Sequence, residues 1–259
     1  MLKAKTPGVN FTHARRLVKY NLPLYASAGG GILAGALLLL SPRTPRPLRW
    51  LAGAGMTTAG WYSAASFGAF HWMFDRSGLL EGRWIAEEVP MPPEDWVQIS
   101  TGLEQTTVPL AEIFPESRGQ FLDIYDPVAM NEPALTRARQ ELTNSPAQGS
   151  AGARPAALPV ADSSCDLVLV MLAAHEIRDV GIRENFFREL RRIVAPGGTV
   201  LLVEHLRDLA AALAFGPGLF HFLPRREWLR LGALAGLELQ RERSITPFVR
   251  VFVFESQKY

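Results

Sequence analysis

Two histidine–glutamate pairs mark where this chain could do chemistry. His175 and Glu176 follow the apolar run DLVLVML (Asp166–Leu172), and Glu204 and His205 close the run TVLLVEH (Thr199–His205). A histidine titrates near neutral pH, which makes His175, and second to it His205, candidate proton-transfer residues, with Glu176 beside them. His221 lies between Phe220 and Phe222, in a segment better suited to lining a pocket or packing a core. The histidines are scattered and lack paired cysteines or an HExxH spacing, so no metal site is expected. Neither a GxSxG elbow nor a P-loop is present. Cys165, the only cysteine, sits beside Asp166, Leu167 and Val168 and reads as core packing. It permits no intramolecular disulfide, which fits a reducing compartment. A net charge of +2 over 259 residues, without a concentrated basic face, argues against a nucleic-acid partner. Arg225, Arg226 and Arg230 read as a solvated helix face.

The elements that must position these residues alternate. Strand-like runs are expected at Trp96–Ser100, Phe121–Asp126, Asp166–Leu172, Thr199–His205 and Arg250–Glu255, with helical patterns at Glu104–Phe114, Glu132–Leu142, Gly181–Ile193 and Arg225–Ala235. Nearly all-apolar strands between helices imply a parallel sheet covered on both faces, an α/β doubly wound fold. GLELQRERS (Gly236–Ser244) and FVRVFVFE (Phe248–Glu255), on either side of ITP (Ile245–Pro247), read as an antiparallel hairpin. Gln140–Arg154 is rich in Ser, Ala, Gly and Pro, and reads as a loop or a poorly formed element. In such a sheet, ligands sit at the carboxyl ends of the strands where the strand order switches. The turn after Ser100, STGLEQTT, therefore belongs to the rim of a pocket, although it holds a single glycine, Gly102.

Three stretches carry a resemblance: LPVADSSCDLVLVMLAAHEI, FFRELRRIVAPGGTVLLVEH and FLPRREWLRLGALAGLELQRERSITPFVRVFVF. They resemble the class I S-adenosylmethionine-dependent methyltransferases, in the UbiE-like quinone and small-molecule group. Leu158-Pro159 with Cys165-Asp166 corresponds to the run before that group's fourth strand. Arg188-Glu189-Leu190 through Pro196-Gly197-Gly198 corresponds to the helix end and PGG turn before its fifth. The resemblance spans about Trp96 to the C-terminus and implies a Rossmann-like methyltransferase fold with S-adenosylmethionine as cofactor. It assigns cofactor contacts to Ser100 and Gly102 in the first turn, to Asp126 (with Asp123 as its rival) after the second strand, and to Leu172 after the fourth. It places His175, Glu176 and His205 at the methyl-transfer side. Where the family has Gly-x-Gly-x-Gly, this chain has Ser100, Gly102 and Glu104, with Gln98 where an acid often stands, and the acid expected before Leu158-Pro159 is missing.

Residues 1–73 form a separate segment. Leu22–Leu40 carries no charge and is long enough for a bilayer core at about 1.5 Å per residue. A second uncharged span, Trp50–Phe70, follows the proline–arginine turn SPRTPRPLR, and small residues at Gly31/Gly35 and Gly55/Ala59 suit close helix approach. The expectation is a two-helix transmembrane hairpin ahead of a soluble domain over 74–259; buried helices of a soluble protein are the alternative. Lys3, Lys5, Arg15, Arg16 and Lys19 favour a cytoplasmic N-terminus at a bacterial-type inner membrane, with the soluble domain on the cytoplasmic side, although Arg43, Arg46 and Arg49 pull the other way. Two functions fit: a membrane-anchored methyltransferase acting on a lipophilic small molecule at the bilayer, or a catalytically degenerate accessory subunit of a larger membrane protein complex.

Overall fold

A computed structural model describes residues 11–103, 107–142 and 149–256. Lys3, Lys5, Glu104 and positions 143–148 of the Gln140–Arg154 run lie outside those residues. The chain divides into two compact units, Met1–Ser77 and Gly78–Tyr259.

In the first unit, α1 (Thr12–Tyr20), α2 (Leu22–Leu40) and α3 (Arg46–His71) are followed by one π-helical turn, Trp72–Arg76. The Ser41–Pro45 turn separates α2 from α3, as the prolines require. Tyr25 Oη meets Ser66 Oγ at 2.7 Å, and Gly35 lies against Met56, so the two helices run antiparallel. Of the small residues expected to allow close approach, Gly35 does so; Gly31 and Gly55 face open space. Asp75 ties the unit together by accepting the His13 and Ala14 backbone N–H groups at 3.0 and 3.1 Å, with His71 Nδ1 at 3.2 Å. Among the described residues α2 alone is long and apolar enough to cross a membrane. α3 is longer, but its Gly, Ala, Thr and Ser content leaves it less apolar than the second span was expected to be.

The second unit opens with one helical turn, α4 (Ile85–Glu88). Then follow β1 (Asp95–Ser100), α5 (Leu110–Ile113), β2 (Arg118–Asp123), α6 (Pro133–Leu142), β3 (Ser150–Gly152), β4 (Cys165–Met171), α7 (Val180–Ile193), β5 (Val194–Glu204), α8 (Leu209–Phe215), α9 (Arg225–Leu234), β6 (Leu237–Thr246) and β7 (Val249–Ser256). The sheet order is β3-β2-β1-β4-β5-β7-β6, with β1 to β5 parallel and β7 antiparallel to both neighbours. This is the doubly wound sheet with a C-terminal antiparallel hairpin that the sequence implies. The order reverses between β1 and β4, which fixes the crevice beyond their carboxyl ends.

Local chemistry explains the frame. Leu167–Met171 of β4 and Val200–Val203 of β5 are buried on both faces and are accordingly apolar. α7 buries Phe186, Phe187, Leu190 and Ile193 along one stripe, and Asp179 caps its start by accepting the Ile182 N–H at 2.8 Å. Pro196-Gly197-Gly198 loops out of β5: pairing jumps from Cys165↔Val194 to Leu167↔Thr199, with Gly197 at φ +78°. Glu189, on α7, accepts the Leu158 N–H at 2.8 Å and a bidentate Arg192 pair at 2.8 and 2.7 Å, which pins the loop before β4. The Arg192 hydrogen bonds hold the Glu189 carboxyl below its usual range. A depressed folded-state pKa stabilises fully above the ordinary carboxylate value and is lost as pH falls through the folded one. Glu189→Gln should therefore lower the urea midpoint at neutral pH, with the deficit shrinking on acidification below about pH 4; urea unfolding of both proteins across that range checks it.

Three expectations are corrected. The second strand is Arg118–Asp123, so Ile124, Tyr125 and Asp126 lie past its end. The helix expected over Glu104–Phe114 is, among described residues, the single turn Leu110–Ile113 after Pro109. Within Gln140–Arg154, Ser150–Gly152 is a real edge strand paired with β2.

Candidate functional site

The carboxyl ends of β2, β1, β4 and β5 carry two polar groups of residues. The first surrounds Gly102. Ser100, last in β1, accepts the Gly102 N–H on its hydroxyl at 3.1 Å, and Gly102 adopts φ +69°, a left-handed conformation that favours glycine. Asp123, not Asp126, ends β2 beside it. Asp126 instead receives the Val128 and Ala129 N–H groups at 2.8 and 3.2 Å, an Asx turn. Asp123 Oδ2 pairs with Arg139 Nη1 at 2.7 Å, and the same Arg139 nitrogen donates to the Thr101 carbonyl at 3.1 Å. The guanidinium also lies 4.6 Å from the centre of the Tyr125 ring, while Asp123 Oδ1 accepts the Tyr125 N–H at 3.0 Å. Arg139 carries no motif; it is one of two arginines on α6, and sequence reading passed it over. Gln98 is buried and accepts the Val108 N–H at 3.4 Å, so it secures the return of the loop rather than lining a rim. Arg154 is exposed.

The second group follows β4 and β5. Leu172 holds φ +49°, an uncommon conformation for a non-glycine residue, and turns the chain into a 3₁₀ turn, Ala174–Glu176. His175 on that turn reaches Glu204 at the end of β5, with Nδ1 to Oε2 at 2.6 Å. Glu204 is fully buried, and its Oε1 also accepts the Ala174 and His175 N–H groups at 2.8 and 3.3 Å. His175 Nε2 faces Glu176 Oε1 at 3.4 Å, and His221 Nε2 reaches the same oxygen at 3.2 Å. His205 turns away: its Nδ1 bonds the Phe248 carbonyl at 2.9 Å, and its ring packs on Phe222 at 4.8 Å. The reading of the histidines as scattered is thus corrected, since adjacency of β4 and β5 and the segment before α9 bring His175, Glu176 and His221 together from up to 46 positions apart.

The charges follow from that packing. Burial alone would push the His175 imidazole down, but Glu204 and Glu176 outweigh it and raise it to about 10. Burial would raise the Glu176 carboxyl, yet the hydrogen bonds from His175 and His221 hold it well below the usual carboxylate range. Burial pushes His205 down, and the neighbouring His175 charge pushes it further, to about 3. His175 therefore holds its proton at neutral pH, and His205 is neutral. Cys165 is buried, and burial raises its thiol, which leaves it a packing residue.

The fold defines a class: a seven-stranded class I methyltransferase fold. A methyltransferase-domain family matches residues 111–202, from α5 through most of β5. Among solved structures, a SAM-dependent methyltransferase from Aquifex aeolicus is similar at 14% identity, with 71% of this chain and 94% of that one covered and a TM-score of 0.52. The pyocyanin biosynthetic protein PhzM is similar at 17% identity, over 96% of this chain and 74% of its own, with a TM-score of 0.54. Comparison with curated proteins gave no match.

Proposed function

We propose that this chain is an S-adenosylmethionine-dependent methyltransferase acting at a membrane on a lipophilic small molecule. The observation that carries the reading is Asp123 at the end of β2 beside the left-handed Gly102, with Asp123 inside the region that matches the methyltransferase-domain family and Gly102 just ahead of it. These residues fit the cofactor on one test of this structure. A Cβ at Gly102 would overlap the Asp123 carboxylate and the Arg139 guanidinium, so the missing side chain makes the room in which those two groups sit, and the cofactor would use that room with Arg139 swung aside. Asp123 would take the ribose hydroxyls in place of Asp126, and the 100–102 backbone and Leu172 would border the methionine side. S-adenosylmethionine, when bound, supplies an electrophilic methyl group.

The chain's own contribution is positional. Because His175 keeps its proton at neutral pH, it does not serve there as a base; it is fixed between two carboxylates. The cluster at the ends of β4 and β5 anchors an acceptor, and alignment of acceptor with methyl supplies the rate. α2 supports the membrane part: it is apolar along its length and exposes Leu24, Leu33, Leu37 and Leu40. Tethering raises the effective concentration of the site at the bilayer where a lipophilic acceptor resides. The positive residues before α2 favour a cytoplasmic face of a bacterial-type inner membrane.

A second reading, a degenerate accessory subunit of a membrane protein complex, is favoured by one feature: Arg139 already fills the space beside Asp123 and Gly102. Calorimetric titration of the detergent-solubilised full chain with S-adenosylmethionine separates the two. The enzyme reading expects one equivalent bound and a thermal shift; ligand at a hundred times its Kd stabilises by about 2.7 kcal/mol. Absence of heat and of any shift at millimolar ligand, with a stoichiometric protein co-migrating from native membranes, leaves the subunit reading standing.

A further inference from the structure

We propose that His175, Glu176 and His221 form a binding site for one divalent transition-metal ion of the zinc class, at the carboxyl ends of β4 and β5. One ligand atom from each residue can be chosen so that all lie within 4.8 Å of one another. Glu176 Oε1 stands 3.4 Å from His175 Nε2 and 3.2 Å from His221 Nε2. Donors held tetrahedrally at bond lengths of 2.0–2.1 Å are separated by about 3.3 Å, so both edges already have the span a zinc ion imposes.

The second argument is the support behind the donors. Histidines that ligate metals direct their other ring nitrogen at a carboxylate or carbonyl, which fixes the ring and its tautomer. His175 does this: Glu204 holds Nδ1 at 2.6 Å, and Glu204 is fixed in turn by two backbone N–H groups. Nε2 is thereby aimed at Glu176 and His221, and an ion binding there displaces the proton that Nε2 carries at neutral pH. The third argument is an orphan. Glu176 Oε2 is buried and, among the described residues, has no hydrogen-bond partner, in a side chain only 9% exposed. Its nearest cation is Arg178 Nη2, at 3.9 Å. Such an oxygen is costly to leave unmade, and bidentate coordination by Glu176, through Oε1 and Oε2 together, would satisfy it.

The surrounding charge suits a cation. Glu176 and Glu204 are both buried, and Glu132 Oε2 lies 3.8 Å from the far nitrogen of His221. Arg178 is the occupant an ion must displace: Nη2 lies 3.1 Å from His221 Nε2 and close to Nδ1, while Nη1 donates to the His221 carbonyl at 2.8 Å. Its side chain is 42% exposed and can swing to solvent while that carbonyl bond is re-formed or released. Two imidazoles and one carboxylate, without thiolate, favour zinc, iron(II) or cobalt(II) over calcium or magnesium. The site stands on these donors and does not depend on methyl transfer.

The test uses the full chain in detergent, stripped with chelator and titrated calorimetrically with zinc sulfate in the absence of S-adenosylmethionine. One equivalent should bind, and cobalt(II) should give the visible absorption of a four-coordinate ion. Glu176→Gln, which preserves volume, and His221→Ala, at a partly exposed position, should each weaken binding by at least about a hundredfold. His13→Ala should leave it unchanged. Circular dichroism shows whether each variant is folded, and Glu176→Gln carries the test if His221→Ala is not. No binding below millimolar zinc overturns the proposal. So does undiminished affinity in folded Glu176→Gln, or loss of binding in His13→Ala.

Discussion

Glu204→Ala should lower the stability of the Gly78–Tyr259 unit by about 3–5 kcal/mol, the range found when one partner of a buried ion pair is removed. Glu204 is fully buried, accepts His175 Nδ1 at 2.6 Å and satisfies the Ala174 and His175 N–H groups. Alanine removes all three acceptor functions at once and leaves an imidazolium that is itself buried, with Glu176 at 3.4 Å as its remaining carboxylate. The expected fall in thermal midpoint is roughly 10 °C for a unit of this size. Glu204→Gln keeps an acceptor oxygen for the backbone donors but loses the charge, and should fall between wild type and alanine. Thermal unfolding of the full chain in detergent, followed by far-ultraviolet circular dichroism, measures the series. An alanine variant within about 1 kcal/mol of wild type would mean that His175 is neutral in the folded protein and that the pair is a plain hydrogen bond.

That cluster also shows where sequence reading stops. β4, β5 and β7 were legible because a strand covered on both faces must be apolar between its ends, and DLVLVML, TVLLVEH and RVFVFE carry their polar and charged residues only at their ends. The parallel, doubly wound sheet followed from the alternation of strands with helices. β2 was displaced by three residues for a physical reason. Its first half, Arg118, Gly119 and Gln120, is exposed, while Ile124, one residue past the end, is fully buried. Burial therefore continues after pairing stops, and an apolar run does not mark the last ladder bond. That shift places Asp123, and not Asp126, at the strand end. β3 was hidden because three small residues pair only with an edge and contribute little to a core. Helix α5 was overestimated because the apolar pattern of Leu110, Ile113 and Phe114 packs as one turn flanked by Pro109 and Pro115. The meeting of His175 with Glu204 was implicit in the topology, since β4 and β5 are neighbours. His221 was not legible: it arrives on the segment between α8 and α9, and no local spacing announces a partner 45 positions away.

Arg139→Ala should bind S-adenosylmethionine about tenfold more tightly than the wild-type chain, whereas Asp123→Ala should lose at least about a hundredfold, provided the methyltransferase reading holds. Arg139 competes for the groups the cofactor would use: it pairs with Asp123 Oδ2 at 2.7 Å, bonds the Thr101 carbonyl at 3.1 Å and lies against Gly102. A ligand that needs Asp123 must displace that guanidinium, so its apparent Kd exceeds the intrinsic one by the inverse of the fraction of molecules with Arg139 swung out. The pair is partly buried, with 25% of the arginine and 13% of the aspartate side chain exposed. Screening there limits its worth to about 1.4 kcal/mol, which corresponds to the tenfold gain. Alanine at 139 leaves Asp123 oriented, because the Tyr125 N–H still donates to Oδ1 at 3.0 Å. Alanine at 123 removes the acceptor itself, so the two variants must move in opposite directions. Calorimetric titrations of both full-length variants measure this. Weaker binding by Arg139→Ala would make Arg139 a cofactor contact rather than a latch, because a side chain that only blocks a site cannot, on removal, reduce affinity for what it blocks.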